Sequence, residues 1–170
     1  MNKPALIRGS PQKYPIGIGA FMQDLPERQR LCHTPPPWVN PGSLFFVTLC
    51  AAQRGTNSLA RDHTGPALLA SAAHYHNSAV WWLRLLVLMP DHLHALLALP
   101  AGRKLGTTVT AWKSYQSKQL GVTWQTGFFD HRIRSNESLE AKARYIRLNP
   151  VRAGLVTAAE NWPYAWEPPQ

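Results

Sequence analysis

The chain has 170 residues, 45% of them hydrophobic and seven of them tryptophan, enough to build one well-packed domain. Lysine and arginine number 18 against nine acids, a formal charge of +9 with a pI near 10.1, so the field around the protein attracts polyanions, nucleic acid foremost. No apolar run approaches the about 18 residues of a membrane span, no basic amphipathic helix carries an aromatic face, and the first residues lack a signal-type apolar core, which together predict a cytoplasmic protein with no membrane partner.

Residues 1–42 are rich in proline and glycine and have neither helical nor strand periodicity, so they read as an N-terminal extension. A single domain is predicted over 43–166, with a short tail at 167–170. Its first strand covers 43–51, rich in β-forming residues and bounded by Pro41-Gly42 and Arg54-Gly55. A helix follows over 66–78, opened by Gly65-Pro66, with Leu68, Leu69, Ala72, Ala73 and His76 on one stripe. Strands over 79–89 and 92–99 flank a Pro90-Asp91 turn. A second helix spans 104–120 and ends at Gly121. A fourth strand covers 127–134, and a third helix covers 136–149 with acids in its first turn and a stop at Pro150. The order β-α-β-β-α-β plus a helix predicts an α+β fold of the ferredoxin-like split type, an antiparallel sheet with an additional C-terminal helix. Cys32 and Cys50 stand in different contexts and suggest neither a disulfide framework nor a cysteine zinc site.

Within the fourteen residues VLMPDHLHALLALP, His92 and His94 stand one residue apart on a strand, which sends both to one face while Leu93 turns the other way. Two readings stand: a pair of nitrogen ligands for a metal, or two surface histidines. In the third helix Tyr145 and Asn149 are one turn apart and share a face. The amide oxygen can join two imidazoles around a divalent ion, and the phenol can attack a phosphate held there. The plainer reading makes Tyr145 a half-buried aromatic and Asn149 the residue before a helix-ending proline.

MPDHLHALLALP, followed by YIRLNPVRAGLV and then WPYAW, resembles the REP-associated tyrosine transposases, a branch of the IS200-like single-tyrosine HUH transposases. The likeness covers residues 43–166. It implies that His92 and His94 are the paired metal ligands, Tyr145 the catalytic nucleophile and Asn149 the polar residue completing the metal site, with Mg²⁺ or Mn²⁺ as cofactor. Asp91 is a possible accessory carboxylate or simply a turn residue after Pro90. The resemblance also implies the reaction: nicking of single-stranded DNA beside palindromic, REP-type hairpins, a 5′-phosphotyrosine intermediate, and strand transfer by a monomer or homodimer. The competing functions are a hairpin-binding protein that cuts nothing and a metal hydrolase that activates water.

Lys113 and Lys118 on the second helix and Arg132 and Arg134 on the fourth strand are the predicted DNA contacts, each with a solvated surface charge as its alternative. Trp112, Tyr115 and Gln119 follow the other spacing of that helix. Tyr115 also sits among cations but has no amide one turn later. His74 and His76 lie two apart on a helix, too far around to share one ion, and are predicted to be structural. His131 is predicted to hold a surface or core place.

Overall fold

The computed structural model describes residues 42–134 and 138–169. The predicted extension before Gly42, with Cys32, lies outside the described residues, as do positions 136 and 137 at the start of the predicted third helix.

Strand β1 (Leu44–Cys50) alternates as its sequence LFFVTLC requires: Phe45, Val47 and Leu49 enter one apolar cluster and Phe46 a second. Helix α1 (Thr64–Asn77) begins two residues earlier than the predicted start at 66, so Pro66 lies within its first turn, where a missing N–H costs nothing. Strands β2 (Trp82–Leu88) and β3 (His92–Ala98) follow, then helix α2 (Leu105–Leu120), closed by Gly121 at φ 67°. Strand β4 (Phe129–Arg132) is shorter than predicted and leaves Arg134 beyond its end. Helix α3 (Leu139–Arg147) and a single turn α4 (Asn149–Arg152) come next, then a 3₁₀ turn (Ala159–Asn161) and strand β5 (Ala165–Trp166).

The five strands form one antiparallel sheet in the order β4-β1-β3-β2-β5. Its first four strands have the ferredoxin-like order that the sequence predicts, with β3 inside the sheet.

Strand alternation divides the molecule into two layers of core. On one face, Val47, Leu49, Leu93, Ala95 and Leu97 pack with Leu68, Val109 and Trp112 of α1 and α2. On the other, Phe46, Leu85, Val87 and Leu96 pack with Ala143 and Ile146 of α3. The register of β2 shifts between Leu83 and Leu85, which lets Leu83, Leu86 and Leu88 share the first face despite their mixed parity. The even-numbered positions of β3, His92 and His94 among them, therefore share a face with Leu96 and the helix bearing Tyr145.

Strand β5 is an element that sequence reading misses, because only two residues pair. Ala165 and Trp166 lie against Val87 and Leu86, the Leu88 amide donates to the Tyr164 carbonyl at 2.8 Å, and Trp162 Nε1 donates to the Leu88 carbonyl at 2.8 Å. The WPYAW segment thereby covers part of an edge that would otherwise offer unpaired backbone. Tyr164 lies so close to the first turn of α1 that a Cβ at Gly65 would overlap its ring. Gly65→Ala should therefore cost about 1–3 kcal/mol, the range for overpacking. Urea unfolding measures this, and an unchanged midpoint would show that the contact is not tight.

Candidate active site

The site begins at the tight turn between β2 and β3. Met89 N donates to the His92 carbonyl at 2.7 Å, while the Pro90 carbonyl accepts from the amides of Ser58 and Leu59 at 2.9 and 3.0 Å and the Asp91 carbonyl from Ala51 N at 2.8 Å. With its backbone pinned, Asp91 can aim its carboxylate. One oxygen meets His92 Nδ1 at 2.7 Å; the other accepts from the Gly55 amide at 2.7 Å and lies 3.3 Å from Arg54 Nε. Burial alone would raise the Asp91 carboxyl, but the bonds from His92 and Gly55 and the charge of Arg54 hold it down at about 2. An ionised carboxylate only accepts, so His92 Nδ1 carries the proton and, in the neutral ring, Nε2 keeps its lone pair. Asp91 thus orients an imidazole with both oxygens engaged.

His94 is 8% exposed and lies directly opposite Thr48 of β1, whose Oγ1 is 2.9 Å from His94 Nδ1. Its ring stacks on Phe46, with centroids 5.4 Å apart at 25°, and stands edge-on to His92 at 4.9 Å. Burial, with the fields of His92 and Arg54, pushes its pKa down to about 3, so the ring is neutral through the physiological range and available as a ligand. The linkage has a definite sign. Between the ordinary value of 6.5 and about 3 the unfolded chain binds a proton that the native state refuses, so stability falls as pH falls through that window. Metal-free protein should lose up to about 1.4 kcal/mol per pH unit there from this one proton. Denaturation curves of wild type and His94→Gln at several pH values test it: the variant should have the shallower slope, and equal slopes would mean His94 titrates normally.

Helix α3 opens at Ser138, whose Oγ accepts from the Ala141 amide at 3.1 Å. Ala143 and Ile146 face the sheet, which sets Tyr145 at the flank, 41% exposed. Its ring stands edge-on to His94 at 6.4 Å, and the Arg152 guanidinium lies 4.9 Å from the ring centre. Arg147 holds the helix through two 2.7 Å bonds to Glu167, with Glu140 at 3.3 Å. The helical path does not stop at Pro150 as the sequence predicts. It pauses at Leu148, and Pro150 sits in the first turn of α4, a position it tolerates. Asn149 thus opens a new helix instead of ending the old one, and a break at Leu148 separates it from the helix of Tyr145. Its Nδ2 is buried with no hydrogen-bond partner.

No cluster of three or more His, Cys, Asp or Glu side chains among the described residues could hold a metal ion. An ion here would take two imidazole nitrogens and the Asn149 amide, with oxygens from outside the chain. The imidazole part of that donor set fits a divalent cation: each Nδ1 has an orienting partner, which leaves each Nε2 for an ion, and His94 is neutral.

Of the predicted DNA contacts, Lys118 and Arg134 are exposed. Lys113 instead donates to the carbonyls of Gln125 and Gly127 at 2.8 and 2.7 Å and braces the segment after α2. Arg132 lies opposite Phe45, on the face away from the imidazoles; His131, opposite Phe46, is on the imidazole face. On α2 the buried stripe runs through Trp112 to Gln116, both bonded to Ser71 Oγ, and Tyr115, whose spacing groups it with Trp112, is exposed instead. His76 is structural, as predicted: its Nδ1 accepts from the Leu83 amide at 3.0 Å. Sequence reading missed Thr48, Phe46, Lys142 and Arg152. Strand register could have pointed to Thr48, and helical spacing from Tyr145 to Lys142.

The fold and this paired-imidazole face define a class: a ferredoxin-like α+β domain with an H-x-H pair on a central strand and a tyrosine helix across it. Known proteins match it in sequence. A Haemophilus influenzae protein named "Putative REP-associated tyrosine transposase" is 28% identical over 144 residues, covering 73% of this chain and 79% of that protein. The Escherichia coli REP-associated tyrosine transposase is 29% identical over 84 residues, 46% of this chain and 50% of that protein. A solved structure of a REP-associated tyrosine transposase bound to a REP hairpin matches with a TM-score of 0.64 and 23% identity, over 76% of this chain and 79% of that one, and shares its fold. No family model matches the chain. The chain is a homologue of proteins named REP-associated tyrosine transposase, and the likeness seen in its three motifs stands.

Proposed function

We propose that the protein is a metal-dependent single-stranded DNA endonuclease and strand transferase acting at palindromic, REP-type hairpins through a 5′-phosphotyrosine. The observation that carries this reading is the approach of Tyr145 to His94, residues far apart in sequence but with rings 6.4 Å apart on one face of the sheet. The names of the relatives and the bound REP hairpin of the structural neighbour agree with it. So does the charge of +9.

His92, His94 and Asn149 are the residues that would hold Mg²⁺ or Mn²⁺, whose positive charge would polarise the scissile phosphate. The chain's own part is positional. Asp91 and Thr48 fix the two rings, and the packing of Ala143 and Ile146 fixes the helix that presents Tyr145. The Tyr145 oxygen bonds to phosphorus as the bond to the 3′ oxygen breaks; the phenol loses its proton and the departing 3′ oxygen gains one. The phosphotyrosine keeps the energy of the broken ester, so a 3′ hydroxyl can attack it, release the phenol and join strands. The exposed edge of Tyr145 suits a strand arriving from solvent. A flexible single strand bends into line cheaply, whereas a duplex must first be opened at roughly 1.4 kcal/mol per step.

End-labelled hairpin oligonucleotides with Mn²⁺ test the reading. Wild type should form a covalent adduct on the 5′ phosphate, and Tyr145→Phe should form none while binding hairpin within a few-fold. Cleavage at near wild-type rate by Tyr145→Phe would sink the covalent mechanism, and binding without any cleavage by wild type would leave a hairpin-binding protein. His92→Ala and His94→Ala should lose activity together with Mn²⁺ affinity measured by calorimetry, a loss that Tyr145→Phe does not share.

A further inference from the structure

Beside Tyr145 runs an open groove lined by Phe46, Ser138, Ala141, Lys142 and Tyr145. One of its walls, Phe46, is the ring on which His94 stacks, so the groove lies one side chain away from that imidazole. Next to Phe46 stands Phe129, edge-on to it with centroids 6.0 Å apart. Phe129 lies opposite Thr48 and so on the same face as His94, yet it is 40% exposed, a large ring on an edge strand with solvent over it. Two cations flank this run. The Lys142 ammonium rests 5.6 Å from the Phe46 ring centre and the Arg152 guanidinium 4.9 Å from that of Tyr145, and neither forms an ion pair with a carboxylate among the described residues.

Aromatic rings in line with unpaired cations are what binds an unpaired nucleotide: the base stacks on a ring and its phosphate meets the charge. We infer that Phe129, with Phe46 behind it and Lys142 beside it, forms a subsite for one unpaired nucleotide next to the phosphate that Tyr145 attacks. On binding, the base lies on the exposed ring of Phe129, and the Lys142 ammonium leaves Phe46 for the adjoining phosphate. The subsite reads the presence of an unpaired base more than its identity, because stacking is tolerant of sequence. It rests on the reading of Tyr145 as the attacking residue only for its place along the strand.

The test uses Tyr145→Phe protein, so that binding is seen without chemistry, and a DNA hairpin with a short unpaired foot carrying 2-aminopurine at each foot position in turn. Binding should quench the fluorescence at one position or two adjacent ones. Adding Phe129→Ala should abolish that quenching and weaken binding of the footed hairpin about tenfold, the loss of one stacked base, while leaving a blunt hairpin unaffected. Phe129→Trp should restore both, which separates stacking from damage to the fold. Lys142→Met should lower the slope of log affinity against log salt by about one. Quenching and affinity that survive Phe129→Ala would overturn the subsite. The two readings fail separately: a wild-type adduct with no dependence on Phe129 removes only the subsite. Phe129-dependent quenching without any wild-type adduct removes only the covalent mechanism.

Discussion

Across the central strand pair, Thr48 faces His94 and Cys50 faces His92, and this register of β1 against β3 is the constraint on which the site depends. A slip of one residue would turn both imidazoles into the core under α1 and α2 and send Leu93 toward the tyrosine helix. The apolar side chains on the opposite parity prevent it. Val47, Leu49, Leu93, Ala95 and Leu97 are all nearly inaccessible, and none could be moved to solvent without losing burial that dwarfs any bond the histidines make. The core therefore fixes the direction of the imidazoles, and the polar partners refine it.

The polar partners act at two levels. Asp91 and Thr48 each take a ring nitrogen and settle which way the rings turn, and Arg54 with the Gly55 amide holds Asp91 ionised. Around them, backbone bonds from Ala51, Ser58 and Leu59 grip the turn that carries Asp91. This arrangement puts polar groups at one end of β3 while its remaining positions, Ala95 to Ala98, are buried and apolar, a distribution expected where binding chemistry is placed on a rigid scaffold.

Most of the architecture was legible in the sequence because it follows local periods. The strand alternation of LFFVTLC and HLHALLA, the Pro90-Asp91 turn and the glycine after α2 each have a single physical reading, and together they imply the sheet order. What escaped depends on contacts distant along the chain. Strand β5 consists of two residues held by β2, and nothing local marks them. Pro150 is a helix stop or a helix start depending on whether the chain resumes its helical path after Leu148, which it does here. Lys113 looks like a free surface cation on its helix, but the carbonyls of Gln125 and Gly127 lie within reach only once the chain turns back at Gly121. At the site, the histidine pair, Tyr145 and Asn149 were legible as residue types at set spacings. Arg132 was legible as a cation on a strand, but which face of the sheet it takes was not, because the parity of an edge strand is known only from its partner.

Trp162 reaches back to the carbonyl of Leu88, next to the turn that carries the first imidazole, and β5 then closes on β2. The chain is synthesised from the other end, so β3 leaves the ribosome well before α3, and α3 before the segment that locks the edge of β2. The histidine strand therefore precedes its tyrosine helix in the chain, and the edge of β2 beside it is covered only by the later WPYAW segment. Among the described elements the tyrosine helix and the strand that covers the β2 edge both follow the four-stranded core in the chain, so the scaffold that orients the imidazoles precedes the parts placed against it.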